Sequence, residues 1–365
     1  MSGHPPRQRE PIRHVGIGLG RIRHWHDGLG EFSRQLGLAL AAQAGALRQA
    51  HGLALHFHLP REFHGIFGPD VGYLDTHTLQ RWLHLRTSRF ALWHTLHQHN
   101  RLRAPLGTQR LVETVHDLNF LHTKGATKIE RYRERTRRRL QRADATVAIT
   151  HYVARDIETE LSPLPAAPRV IHNGATDLSA AAQTPVAELA GQAFLLHVSR
   201  MAPTKNIVAL LDLAAAWPEQ DLVLAGASSP YTSAVKQMLA ERDLTNVQMR
   251  LDIDEAEKAW LYAQCRGFVF PSLAEGFGLP PIEAMHFGKP VFLSRRTSLP
   301  EVGGEVAHYF VSFEGPAMRR VVENGLAAHE APGSAEAVKA HAQQFSWQRC
   351  AEQHIALYLS LLTPG

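Results

Sequence analysis

Apolar residues fall along this chain in short runs, separated by longer stretches with helical spacing. The runs at His14–Gly20, Gly52–Pro60, Phe90–Leu96, Leu111–His116, Ala145–Thr150 and Arg169–His172 have the length and composition of strands. Between the first two, Glu31 to about Ala50 places Phe32, Leu36, Ala39, Leu40 and Leu47 on one face, which predicts an amphipathic helix. After residue 191 the alternation resumes. Phe194–Ser199 reads as a strand, the stretch after Asn206 to Trp217 as a helix, and Leu222–Gly226 and Val247–Ile253 as strands. A helix to Gln264 follows, then strands at Gly267–Phe270 and Lys289–Leu293, and a last helix running to Leu362. Strands alternating with helices predict an α/β protein of doubly wound parallel sheets. Residues 178–191, with three successive alanines and a Thr-Pro, read as a linker. The expected division is therefore 1–177, a linker at 178–191, 192–344, and a terminal helix at 345–365. Ligands of such sheets bind beyond the carboxyl ends of the strands. There His94, His97, His116-Asp117, Thr150 and Asn173-Gly174 are expected to share one rim.

Composition narrows the class. A chain of 365 residues, 44% hydrophobic and 20% charged, suits two soluble domains, each with its own core. No apolar run reaches the ~18–20 residues of a membrane span, and the N-terminus lacks a charged-then-apolar leader, so a cytoplasmic location is expected. The two cysteines, Cys265 and Cys350, exclude a disulfide framework and suit free thiols in a reducing compartment. The net charge of +5 is uneven: residues 1–185 carry 25 Lys and Arg against 15 Asp and Glu, and the remainder is net acidic. A basic first half suggests an anionic surface or substrate there. Arg131–Arg142 holds seven arginines, which fit a solvated helix face, a patch for anionic lipid, or nucleic acid. No recognition fold or aromatic platform accompanies them, so nucleic acid is not the expected partner.

The most informative stretch is Pro271-Ser-Leu-Ala-Glu-Gly-Phe-Gly-Leu-Pro-Pro-Ile-Glu-Ala-Met285. It follows the strand at Gly267–Phe270, and its prolines suit a helix starting near Leu279. Gly276, Phe277 and Gly278 then form the strand-to-helix turn, with Glu275 in the loop and Glu283 in the first helical turn. A helix N-terminus attracts phosphate, and carboxylates beside it accept hydrogen bonds from hydroxyls; a nucleotide sugar meets both demands. Glu283 could equally complement the helix dipole, and Gly-Phe-Gly could be only a tight turn. Gly16-x-Gly18-x-Gly20 is not the dinucleotide fingerprint, because its third glycine comes one position early. Asp252-x-Asp254 could hold a metal, but Asp254 stands where a helix cap is needed before Glu255. His94, His97 and His99 lack a Cys or carboxylate at ligand spacing, so no metal site is expected.

Glu275-Gly-Phe-Gly-Leu-Pro-Pro-Ile-Glu283 resembles, position by position, the Glu-x7-Glu motif of retaining GT-B glycosyltransferases of family four, the group 1 enzymes. Thr114-Val-His-Asp-Leu118 is similar to the family's strand-end His-Asp-Leu, and Arg200 with Lys205 to its diphosphate clamp. Gly28-Leu-Gly30 resembles its glycine loop, and Phe345–Arg349 its last helix, which crosses back to the first domain. Thr150 stands where the family usually has serine, so its job stays between helix capping and acceptor contact. The resemblance runs nearly end to end and is patchier before residue 110. It implies two Rossmann-like domains facing a central cleft, the nucleotide-sugar donor held by the second and a saccharide or lipid-linked acceptor by the first. Arg200, Lys205 and the amides of Gly276, Phe277, Gly278 and Leu279 would take the diphosphate and sugar. Glu283 would take the ribose, Glu275 the sugar hydroxyls, and His116 the sugar from the other domain. The implied reaction is metal-independent and needs no cofactor beyond the co-substrate. The motif most resembles bacterial mannosyltransferases of surface polysaccharide assembly, which makes GDP-mannose the expected donor. A sugar-nucleotide epimerase and a non-catalytic nucleotide-sugar sensor are the competing expectations.

Overall fold

The computed structural model describes residues 12–22, 25, 28–86 and 88–363. The chain divides into two compact units: Met1–Gly174 with Trp347–Gly365, and Ala175–Ser346.

The first unit runs β1 (Arg13–Gly18), α1 (Gly28–Ala41), α2 (Ala44–His51), β2 (Leu53–Leu59), β3 (Gly72–Asp75), β4 (Phe90–Thr95) and β5 (Arg110–Val115). Then come α3 (Phe120–Thr123), α4 (Ala126–Leu140), β6 (Ala145–Ala148), α5 (His151–Leu161) and β7 (Arg169–Val170). Its sheet is parallel, in the order β3-β2-β1-β4-β5-β6-β7. The single helix expected over 31–50 is two helices. Phe32, Leu36, Leu40 and Leu47 are buried as their spacing requires, and Ala39 is half-buried. Strand β3 was not foreseen, because Gly72-Tyr-Leu-Asp75 is too short and polar to signal one. The glycine at position 16 answers to packing: a Cβ there would lie 2.1 Å from the Trp93 ring.

The second unit runs β8 (Phe194–Val198), α6 (Ile207–Ala215), β9 (Asp221–Gly226), α7 (Thr232–Glu241), β10 (Val247–Leu251), α8 (Glu255–Gln264) and β11 (Gly267–Phe270). It continues with α9 (Leu279–His286), β12 (Val291–Ser294), α10 (Leu299–Gly303), β13 (His308–Phe310), α11 (Gly315–His329) and α12 (Ser334–Ala342). This sheet is also parallel, in the order β10-β9-β8-β11-β12-β13. Its inner strands β8, β11 and β12 are buried throughout, as expected of a sheet covered on both faces. Residues 178–191, expected as a linker, lie inside this unit, where Leu178, Val186 and Leu189 are buried.

The last helix, α13 (Trp347–Leu362), belongs to the first unit. Its Cys350, Ala351, Ile355, Leu357 and Tyr358 join the core beneath α1 and the sheet. Polar ties accompany the apolar face: Tyr358 Oη lies 2.6 Å from His94 Nδ1, and Arg13 donates to the Leu362 carbonyl at 2.9 Å.

Candidate functional site

Both sheets wind outward from an inner strand and then return to its other side. A crevice opens beyond the carboxyl ends at such a reversal. In the second unit it lies between β8 and β11, and residues 199–206 and 271–278 meet there. Leu273 N donates to Thr204 O at 2.7 Å, and Ser272 Oγ lies 3.0 Å from the same carbonyl. Lys205 ends a short 3-10 turn, and the next residue, Asn206, takes a left-handed conformation (φ 55°) that starts α6.

The Lys205 ammonium pairs with Glu275 Oε1, both side chains being largely buried. Ser272 Oγ approaches the same carboxylate oxygen at 2.6 Å, and Lys205 lies 5.3 Å from the Phe270 ring centre. Pairing offsets the cost of taking these charges out of water; removing either partner strands the other. Burial, with a smaller contribution from Lys205, pushes the His197 imidazole beneath them down to about 4, so it is neutral. Arg200 is exposed and makes no ion pair among the described residues.

Side-chain hydroxyls hold the turn from Glu275 to Gly278. Thr297 Oγ1 accepts from Glu275 N at 3.0 Å, and Ser298 Oγ reaches the carbonyls of Glu275 (3.0 Å) and Phe277 (2.9 Å). Phe277 is buried edge-on against Phe345. Gly278 precedes α9 at φ 114°, and a Cβ there would meet Leu299 Cδ2 at 2.9 Å, so the position requires glycine. The helix begins at Leu279. Pro280 and Pro281 then remove two of the amides a helix N-terminus normally offers, which leaves Leu279 N–H as the donor of its first three residues.

Glu283 departs from expectation. It is the fifth residue of α9, beyond the first turn, and faces α8 rather than capping the helix end. Tyr262 Oη donates to its Oε2 at 2.9 Å, and Lys258 Nζ lies 3.4 Å from the same atom. Both contacts fall on Oε2. Burial, followed by the charge of Glu283, raises the Tyr262 phenol well above its ordinary range and keeps it a donor.

In the first unit the reversal lies between β1 and β4. A cavity of about 350 Å³ opens there, lined by Gly30, Ser33, Arg21, Arg81, His97 and Arg101 among others. The Ser33 hydroxyl in its wall is fully buried and has no hydrogen-bond partner among the described residues. Gly30 is therefore in the wall, and Gly28 is exposed at the start of α1. His116 follows β5 and is buried edge-on against Phe32, at 4.4 Å. Its Nε2 lies 2.9 Å from the Leu96 carbonyl, which can only accept, so the proton sits on Nε2 and Nδ1 carries a lone pair. Burial lowers its pKa to about 3. Gln98 clamps the backbone around it, accepting from His116 N and donating to the Asp117 carbonyl.

The shared rim is only partly realised. His94 lies within β4, fully buried, bonded to Tyr358 and to Thr114 Oγ1 (2.7 Å). Strand residues alternate sides, and this one points into the core. Thr150 caps α5, accepting from Val153 N at 3.1 Å. Asp254 caps α8 through a reciprocal box with Glu257, and Asp252 accepts from Ser228 N at 2.9 Å. Helix α4 is also less cationic than its sequence suggested. Arg133 pairs with Glu130 and Glu160, Arg137 and Arg138 with Glu134, and Arg139 with Glu113. Sequence reasoning passed over Ser272, Thr297, Ser298, Lys258 and Tyr262. Only Ser272 carried a usable signal, three residues before Glu275.

Two parallel-sheet Rossmann-like units, with a polar crevice at the winding reversal, define the architecture of GT-B glycosyltransferases. Residues 183–345 match the family model described as Glycosyl transferases group 1. The chain is similar to the O-antigen chain mannosyltransferase B of Escherichia coli, at 33% identity over 192 residues, 47% of each chain. It thus spans about half the length of that curated relative. Among solved structures, sucrose-phosphate synthase from Thermosynechococcus elongatus superposes with TM-score 0.72 at 21% identity, covering 96% of this chain and 99% of the other. Anabaena Alr3699/HepE, solved in complex with UDP-glucose, does so with TM-score 0.68 at 16% identity, covering 95% and 99%.

Proposed function

We propose that this protein is a retaining glycosyltransferase that moves a hexose from a nucleotide sugar to a hydroxyl of a saccharide or lipid-linked saccharide. The setting we propose is bacterial surface polysaccharide assembly, with GDP-mannose as the donor. The observation that carries the reading is the Lys205–Glu275 pair at the β8–β11 reversal, beside the Gly278 turn and the start of α9. A cation for phosphate and a carboxylate for hydroxyls sit together, each holding the other until a ligand bearing both groups arrives. The similarity to an O-antigen mannosyltransferase supports mannose, and the UDP-glucose complex of a protein with this fold supports a nucleotide-sugar donor.

Arg200 and Lys205, with the Leu279 amide and the Gly276–Gly278 turn, take the diphosphate. Glu275, released from Lys205, accepts from the sugar hydroxyls, and Glu283 accepts from the ribose. His116 offers the Nδ1 lone pair to a sugar hydroxyl, and the cavity beside Gly30 receives the acceptor. The bond from the anomeric carbon to the phosphate oxygen breaks as the acceptor oxygen bonds to that carbon on the same face. The acceptor's proton passes to the departing phosphate oxygen. The protein's contribution is positioning and stabilisation of the leaving charge. Two cations meet that charge, so turnover should persist in excess chelator.

The test incubates the purified chain with GDP-mannose, UDP-glucose and UDP-N-acetylglucosamine, with and without saccharide acceptors. Diphosphate release that depends on acceptor supports transfer. Free sugar released without acceptor, at a rate that acceptor does not raise, points to an epimerase rather than to slow donor hydrolysis, and binding without turnover to a sensor; either result overturns the reading.

A further inference from the structure

One segment of the first unit is inside out. Leu79, Trp82, Leu83 and Leu85 face solvent, with Leu79 74%, Trp82 64% and Leu85 68% exposed. Gln80 and His84, the polar residues among them, are buried. They form a chain in which His58 Nε2 lies 3.0 Å from Gln80 Oε1, and Gln80 Nε2 lies 3.3 Å from His84 Nε2. A second segment is stitched to the first: Arg103 N donates to the Gln80 carbonyl and Leu106 N to that of His84, both at 2.9 Å. Leu106, 60% exposed, thereby joins the same apolar surface. The polar chain fixes the segment from within, so the outward leucines and tryptophan are held there by structure. Contiguous exposed apolar surface of this kind marks a docking site.

Charge identifies the occupant. From Thr76 to Val112 the sequence contains no Asp or Glu. Arg86, Arg89, Arg101 and Arg103 are exposed around the apolar residues, and none makes an ion pair among the described residues. Helix α4 has more arginines, but four of them face carboxylates, and none of the exposed large apolar side chains lies on it. We propose that the surface formed by residues 79–86 and 101–106 docks on an anionic bilayer. Trp82, Leu79 and Leu85 enter the headgroup boundary, where an amphipathic tryptophan is at home, and the arginines meet lipid phosphates. Docking needs neither donor nor acceptor, so it stands or falls apart from glycosyl transfer.

The experiment is co-sedimentation of the full chain with phosphatidylcholine vesicles, with and without phosphatidylglycerol. Binding is expected to the anionic vesicles, and to weaken with salt. The combined variant L79S/W82S/L85S should lose at least ~10-fold in vesicle affinity, R86Q/R89Q several-fold, and R131Q/R142Q, on α4 and just past its end, nothing measurable. The substituted side chains are exposed, and unchanged thermal melts serve as the control for folding. Equal binding to neutral vesicles, undiminished binding by the triple variant, or loss confined to R131Q/R142Q would overturn the proposal. So would a wild-type dimer that the triple variant makes monomeric, since a second copy would then cover the surface.

Discussion

The two units share one winding plan and use its reversal point differently. At the β8–β11 reversal the second unit sets a lysine against a carboxylate, held by three hydroxyls from two neighbouring segments. At the β1–β4 reversal the first unit opens a cavity among arginines and histidines, with a buried serine hydroxyl in its wall that meets no partner among the described residues. One crevice pairs a buried cation with a carboxylate beside the exposed Arg200, while the arginines lining the other make no ion pair among the described residues. The same sheet topology thus supplies a place for a ligand, and the loop residues alone decide its chemistry.

The contrast can be broken at several points. The largest effect is expected at Lys205. A Lys205→Ala variant should lose ~10²–10³-fold in turnover while remaining folded, as when one preorganised contact to developing negative charge is removed. Steady-state rates at saturating acceptor check this, and Glu275→Ala turning over normally would remove that residue from the site. Next comes acid. Burial lowers the histidines of the first unit: His116 to about 3, His56, His58 and His354 to about 4, and His94 well below its ordinary value. In the second unit only His197 is driven as low as about 4.

Below pH ~6.5 unfolded imidazoles bind protons that the folded ones refuse, so stability falls with pH, by up to ~1.4 kcal/mol per pH unit for each such histidine. The loss ends near the folded pKa values. The first unit should therefore lose amide-exchange protection before the second as pH falls from 6.5 to 4, and simultaneous loss would contradict the assignment. Gly278→Ala should destabilise the second unit by ~1–3 kcal/mol in denaturant titrations, because it combines a left-handed backbone with a side-chain collision. The smallest change is expected at Gly28, where an added Cβ meets nothing within 4 Å. Gly28→Ala should shift stability by less than ~0.5 kcal/mol. A large loss of acceptor-dependent turnover without that shift would bring the position into the first unit's site.

Most of the fold was legible because its signals are local. Runs such as Phe194–Val198 and Gly267–Phe270 are buried on both faces and so appear as uninterrupted apolar stretches. Asp254 could be read as a cap, and capping stood as one of two readings for Thr150, because capping spans three residues. The turn from Glu275 to Leu279 was legible for the same reason, since glycine and proline state their backbone demands where they stand. What stayed hidden was pairing across distance. Glu283 looked like a first-turn residue, yet its partners Tyr262 and Lys258 lie a whole helix earlier. The arginines of α4 read as a free cationic face until Glu113 and Glu160 were brought beside them from other elements.

By itself, then, the sequence determined two wound sheets, their helices and the turn that precedes α9, because hydrophobic period and backbone preference act within a few residues. Only the tertiary structure decided which charges are matched. It closed Lys205 on Glu275, turned His94 into the core and left Trp82 and its leucines facing outward. The reason is physical: the cost of an ionised or apolar group depends on what surrounds it, and those surroundings come from segments remote in the chain.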